Sequence, residues 1–372
     1  MKWNAFLKVI LAGAAALWVS AAHGQVPITN IATKTGPPTA IAINPTTNRL
    51  YIVEGAEDAL LEVDERSMET VEFPLRPSSL SGQTEVHVNP NLNRIYVSNY
   101  MNAYVAILNR FSTTQPVSFI ATKEGPLGLA INRWTNKVYM SQPTSNAVAI
   151  LDEAHGSLKY VKVGNHPGPI AVDEHTNKIY VANESGSSVS VIDGVTEKVT
   201  NVPVGNEPLA LAVDEVRNIV YVADVLSSDV TIIDGATLTK QTVTGVPSPY
   251  AIAINTVTNK IYVATQNSGV VGVINGASHG LQLLEAGTFV YNFSVDSVRN
   301  KIYTVDPNTN QIYIIDGETN AVTAVPGTGI LPEKVIVNPL RNVFYGMNRG
   351  SSDVTVFAGG PAFLPYSIYR LF

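Results

Sequence analysis

The chain is predicted to be all-β: a β-propeller of eight four-stranded antiparallel blades. Three observations predict it. Eight pairs of an asparagine followed three residues later by a tyrosine, from Asn48 and Tyr51 to Asn342 and Tyr345, recur at intervals of 41 to 45 residues. Each interval holds four short β-branched runs separated by Asn, Asp, Gly and Ser, the pattern of strands joined by turns. The strand-like stretch Ile28 to Thr33 stands alone before the first repeat, and the last repeat lacks its fourth strand. A small sheet repeated at this period cannot bury its faces alone and does so against neighbours in a ring.

Taken in order, residues 1–24 read as a secretory signal. Lys2 and Lys8 precede the uncharged apolar run Val9 to Val19, and Ala21, Ala22 and Gly24 offer cleavage points. That run is too short to span a bilayer, which takes ~20 residues. Later apolar runs are all broken by Asn, Asp or Gly within about six residues, as half-buried strands require. The expected product is exported, periplasmic or extracellular, with no transmembrane segment in the mature chain. Residues 25–357 then form one propeller domain. Ile28 to Thr33 is expected to pair with the third strand of the last repeat, Val354 to Phe357, because an open ring would leave sheet edges unpaired. Seven blades are the alternative count. Residues 358–372 form a tail outside the repeat, with Phe363, Tyr366, Tyr369 and Phe372 at three-residue spacing. It is expected to dock on the propeller surface or a partner, since free aromatics would make a sticky patch.

Within each repeat the strands are named a to d. Strand a ends in Asn or Asp at positions 44, 89, 132, 173, 214, 255, 296 and 338, whose side chains suit the a–b turn by accepting from backbone N–H groups two residues on. The repeated Asn closes that turn because it tolerates left-handed φ. The repeated Tyr lies on strand b, where its ring can fill the space between blades while its hydroxyl finds a partner. Repetition in every blade marks these residues as structural.

The strand-b phrases Asn177 to Asn183 and Asn259 to Thr265 carry a family resemblance. So do the strand-c phrases Val189 to Gly194 and Val230 to Gly235, and the loops at 164–167 and 205–208. Together they resemble the YVTN-type β-propeller repeat family of exported and surface-layer proteins. The resemblance spans nearly all of the mature chain. It implies a propeller scaffold without a shared catalytic residue, similar in architecture to lactonase-type propellers, and usually of seven blades.

Composition excludes several chemistries. Removing Lys2 and Lys8 lowers the formal net charge of −6 by two, and no basic cluster remains, so nucleic acid is not an expected partner. Cysteine is absent, which removes thiol nucleophiles, thiolate metal sites and covalent haem. No nucleophile elbow, phosphate loop, EF-hand or zinc-protease motif occurs, and no cofactor or metal site is expected. The histidines disperse: His166 lies in an upper d–a loop, while His155, His175 and His279 lie in lower turns. His155 and His175 sit on adjacent blades, but two ligands make a poor zinc site. His87 lies on strand a where other repeats carry Ala42, Ala130, Ala171, Ala212, Ala253, Ser294 and Ile336. It is read as a core histidine with a local partner in preference to a channel-lining group.

The upper rim, formed by d–a and b–c loops, carries more acids than bases; ordinary solvated loops are the favoured reading, and the functional one is an acidic mouth that attracts a cation or a basic partner. The candidate ligand-binding site lies where repeats 3 to 5 meet: His166, Glu184, Glu207 and Asp224, extended across the channel by Asn99 and Tyr100. The favoured function is a non-catalytic scaffold binding a protein, glycan or small ligand through this rim. The alternative is a lactonase-like propeller hydrolase or lyase, with His166 as acid/base and Glu184, Glu207 or Asp224 as its partner.

Overall fold

The computed structural model describes residues 27–55, 59–75, 85–266 and 268–359; the leader and the tail from residue 360 lie outside them. Among these residues, strands pair into eight four-stranded antiparallel sheets, and the single helical segment is a 3₁₀ turn at Glu184–Gly186. Among the described residues no helix is long and apolar enough to cross a membrane. Blades 1 to 7 run from Pro38, Val86, Leu129, Pro167, Pro208, Pro249 and Phe293, each in the order a-b-c-d. Blade 8 supplies Pro332–Asn338, Val343–Asn348 and Asp353–Ala358, and its fourth strand is Pro27–Ala32 from the opposite end of the chain.

That closure follows the expected register. Ile31 lies opposite Val354 and Pro27 opposite Phe357, with one irregularity between Pro27 and Thr29. Thr33 extends the seam by donating its N–H and hydroxyl to the Ser352 carbonyl. Strand a of each blade meets strand a of the next, and blade 8 meets blade 1, so the a strands line a central channel. The b and c strands are buried, while the d strands alternate into solvent. Eight blades are therefore present, which settles the count against seven.

The repeated asparagines behave as their chemistry requires. All eight, from Asn48 to Asn342, have φ between 46° and 54°. The Asx residues ending strand a are fully buried and accept from turn amides, as when Asn132 takes Trp134 N at 3.0 Å and Thr135 N at 3.0 Å. They also do something the sequence did not announce. Asn44, Asn89, Asn132 and Asn255 each donate Nδ2 to the repeated Asn of the next blade, at 2.8 to 3.2 Å. A polar belt thus stitches neighbouring turns together.

The tyrosine rings fill the inter-blade layers, Tyr51 packing against Ile95 and Val97 of blade 2. Their hydroxyls vary. Tyr96 donates to Glu153 of blade 3, whereas the Tyr180 and Tyr262 hydroxyls have no acceptor among the described residues. At the seam, Tyr345 of blade 8 donates to Glu65 of blade 1 at 2.6 Å, and Asn338 Nδ2 reaches both oxygens of the same carboxylate. Glu65 is only 2 % exposed. Glu65→Ala is therefore expected to strand two buried donors and to cost ~2–4 kcal/mol in urea unfolding. Glu65→Gln, which keeps an acceptor, is expected to lose clearly less.

Candidate functional site

The upper mouth of the channel opens into a cavity of about 830 Å³. Its walls come from nearly every blade: Glu85 and Tyr100 of blade 2, Glu184 of blade 4, Tyr250 of blade 6, Tyr291 of blade 7 and Lys334 of blade 8. Below it lies a smaller space of about 270 Å³, lined in part by His87, Arg133, Glu174 and Glu215.

Strand a sets the channel chemistry. Its residue four places before the terminal Asx is Ala40, Gly128, Pro169, Ala210 or Ala251 in five blades, but Glu85, Asn292 and Lys334 in the others. Glu85 Oε2 accepts Leu129 N of the next blade at 2.9 Å, and Asn292 Oδ1 faces Val335 N in the same way at 3.3 Å. His87 Nε2 approaches Glu85 Oε2 at 3.5 Å. The intervening blade 1 carries only Ala40 and Ala42 here, so the fields of Lys334 and Glu85 meet across it.

Burial alone would raise the Glu85 carboxyl. The His87 ring, the Lys334 charge and the Leu129 amide outweigh it and hold Glu85 below the usual carboxylate value. Burial pushes the Lys334 ammonium down, only partly offset by Glu85. The side chains of Glu85 and His87 are 43 % and 39 % exposed, and each lines a space of the channel. His87 is thus a channel-lining group, which corrects the expectation of a core histidine. Opposite stands an aromatic wall: Tyr291 lies 5.6 Å from Tyr250 and 5.8 Å from Phe289, centroid to centroid.

The residues singled out from the sequence separate into two sets. His166 Nδ1 meets Glu184 Oε2 at 2.9 Å, and the Glu184 N–H donates to the His166 carbonyl at 2.9 Å. A Cβ at position 168 would lie 2.1 Å from Glu184 Oε1, so Gly168 is what lets this carboxylate lie against strand a. Burial raises the Glu184 carboxyl, helped by the charge of Glu207 and opposed by His166. Tyr100 lines the same cavity as Glu184.

Asn99 and Asp224 belong to another class. Both are buried at the end of strand b, where every repeat places a polar residue to anchor its loops. Asn99 accepts Asn102 N at 2.9 Å and donates to the Tyr104 hydroxyl. Asp224 accepts the Thr231 hydroxyl at 2.6 Å and the Gly205 N–H. Glu54 and Asp306 do the same work, taking Lys34 N and Thr288 N. Several rim acids, Glu54, Asp224 and Asp306 among them, are thus buried loop anchors, neither solvated loop residues nor parts of an acidic mouth. Glu207 holds φ 54°, accepts Val225 N through its carbonyl, and lies outside the set lining the cavity.

On the lower face, His155 and His175 each bind a carboxylate, Asp152 and Glu215, at 3.0 Å. Asp173, His175 and Glu215 bring one potential metal-ligating atom each within 4.8 Å of one another. Asp173 is already occupied with the Thr176 amide, and His175 with Glu215.

No protein-family model matches the chain, and no curated protein matches it by sequence. Solved structures that share its fold include two lyases. A streptogramin B lyase superposes with a TM-score of 0.62 at 12% sequence identity, covering 91% of this chain and 99% of that one. A selenomethionine-substituted virginiamycin B lyase from Staphylococcus aureus superposes with a TM-score of 0.58 at 9% identity, covering 89% and 97%. At these identities the likeness establishes the propeller fold. Both neighbours are enzymes, which overturns the preference for a non-catalytic scaffold and leaves the enzymatic alternative as the reading to pursue.

Proposed function

We propose that this chain is an exported propeller enzyme of the hydrolase or lyase class, acting at the upper mouth of its channel. The observation that carries the proposal is the placement of Glu85 and Lys334 on the upper cavity and of His87, whose Nε2 lies 3.5 Å from Glu85 Oε2, on the space below it, at registers where most other repeats place small side chains. Glu85, held ionised, orients the His87 ring and supports positive charge on it as it accepts a proton. Lys334, whose ammonium is destabilised by burial, is suited to return a proton to a leaving group or to stabilise developing negative charge. Base and acid on the two spaces of one channel, with Glu85 interacting with both, serve either ester hydrolysis, through an activated water, or elimination, through removal of a substrate proton. Tyr250 and Tyr291 offer a flat apolar face for the part of the substrate that does not react. The lyase titles of the two structural neighbours favour the same class. The YVTN-like phrases and the leader at residues 1–24 are what support export.

The test is a screen of the purified protein against ester and lactone substrates and streptogramin B, followed by variants on any that turns over. His87→Gln is expected to lower kcat/KM by ~100- to 10,000-fold without changing the melting temperature. Lys334→Met is expected to act mainly on kcat. His166→Gln, on the rim, is expected to cost at least tenfold less than His87→Gln, a lower bound of about 1.4 kcal/mol between them. Turnover that survives both His87→Gln and Lys334→Met would exclude this centre.

A further inference from the structure

We propose that residues 360–372 fold back across the lower face of their own chain and cover a belt of apolar turn residues on blades 8 to 5. Two residues beyond the Asx of strand a, the a–b turns of these blades carry Leu340, Val298, Val257 and Val216. Each is between 70 % and 73 % exposed. At the same position blades 1 and 2 carry Thr46 and Asn91, so exposure of apolar groups is not demanded by the turn. The turn needs only the backbone there, as when Val298 N donates to Asp296 Oδ1 at 3.0 Å. Neighbouring turns touch, with Arg217 reaching the Thr256 carbonyl, Asn255 the Asn300 side chain and Arg299 the Pro339 carbonyl, so the four turns follow one another along an arc of the lower face.

Where the described chain ends selects the occupant. Gly359 donates to the Asn342 carbonyl at 2.7 Å, and Asn342 Nδ2 donates back to the Gly359 carbonyl. The exit point therefore lies two residues from Leu340, at one end of the strip. Beyond it come thirteen residues with no acid and one base, Arg370, and with Phe363, Leu364, Tyr366, Ile368, Tyr369, Leu371 and Phe372 among them. Extended, they reach about 40 Å. An apolar segment tethered beside an apolar strip meets it at high effective concentration, which a free partner must match by affinity.

Amide hydrogen exchange on the full chain tests this, with two comparisons: the chain ended at Gly359, and a full-length variant with Phe363→Ser, Tyr366→Ser, Tyr369→Ser and Phe372→Ser. Peptides containing Val216, Val257, Val298 and Leu340 are expected to exchange about tenfold slower in the wild type than in either variant, at every protein concentration. Equal rates in all three proteins would overturn the proposal. So would protection that grows with protein concentration, which assigns the strip to a second copy, or protection that appears only with phosphatidylglycerol vesicles. If both variants unfold, the absence of cysteine allows a direct trap. Val298→Cys with Tyr366→Cys is expected to close an intramolecular disulfide in the monomer, and failure to close it counts against the contact.

Discussion

Deleting residues 27–34 is expected to lower the melting temperature by on the order of 10 °C. The segment holds no catalytic group, but it supplies the outer strand of blade 8 and covers the edge of Asp353–Ala358. Its loss removes five paired positions, the Thr33 bonds to Ser352 and the burial of Ile31 against Val354 and Val356. Net backbone hydrogen bonds at ~0.5–1.5 kcal/mol each, plus ~2 kcal/mol for the buried isoleucine, sum to roughly 5 kcal/mol. At this chain length 1 kcal/mol moves the transition by about 2 °C. The exposed edge also invites association, so the deletion chain is expected to elute as oligomers at concentrations where the wild type does not. An unchanged melting temperature would mean that the ring does not depend on this strand.

What could be read from the sequence follows physical selectivity. Left-handed φ at the a–b turn narrows residue choice, so Asn48 and its seven counterparts announced both period and turn. Unpaired edges are costly, so a solitary strand at one end and a missing strand at the other announced the closure. The channel was harder. His87 stood out against alanines at its register, yet the same comparison two residues earlier finds Glu85 and Lys334 against Ala40, Gly128 and Ala210. Tyr250, in strand a of blade 6, and Tyr291, just before strand a of blade 7, gave no such signal, because they share a register five places before the terminal Asx at which the repeats differ. Asp224 misled for the opposite reason. It reads as a rim acid by sequence, but its counterparts Glu54, Gln142 and Asp306 are all buried anchors, and the pattern is positional. Function was the least legible, because no motif marks a site assembled from blades 2, 6, 7 and 8.

Asp224→Asn is expected to stabilise the protein at pH 8, by on the order of a few kcal/mol, and to leave it nearly unchanged at pH 4. Asp224 and Asp229 face each other across strands b and c of blade 5. A Cβ on Gly205 would lie 2.8 Å from both Asp224 Cγ and Asp229 Oδ1, so the two carboxyls converge beneath that loop. The Oδ1 atoms of both have no donor among the described residues, and a proton held between them is the partner each lacks. Burial, then the neighbouring carboxylate, pushes Asp224 up to about 7, while Thr231 and Gly205 oppose the shift. The folded pair thus binds a proton that the unfolded chain releases near pH 4. Its contribution is complete below that value and is lost as pH rises through about 7. Blade 8 displays the remedy at the same three positions. Asn348 Nδ2 donates to Asp353 Oδ1 and to Thr355 Oγ1, each at 2.8 Å, with no proton to lose. Asn at 224 would install that arrangement in blade 5. The turn carboxylates such as Asp193 and Asp234, held low by backbone N–H groups, titrate alike in both proteins and cancel in the difference. Urea unfolding of wild type and variant from pH 4 to 8 reads the effect directly. A gain that does not depend on pH, or a loss at pH 8, would show that these two carboxyls do not share a proton in the folded ring.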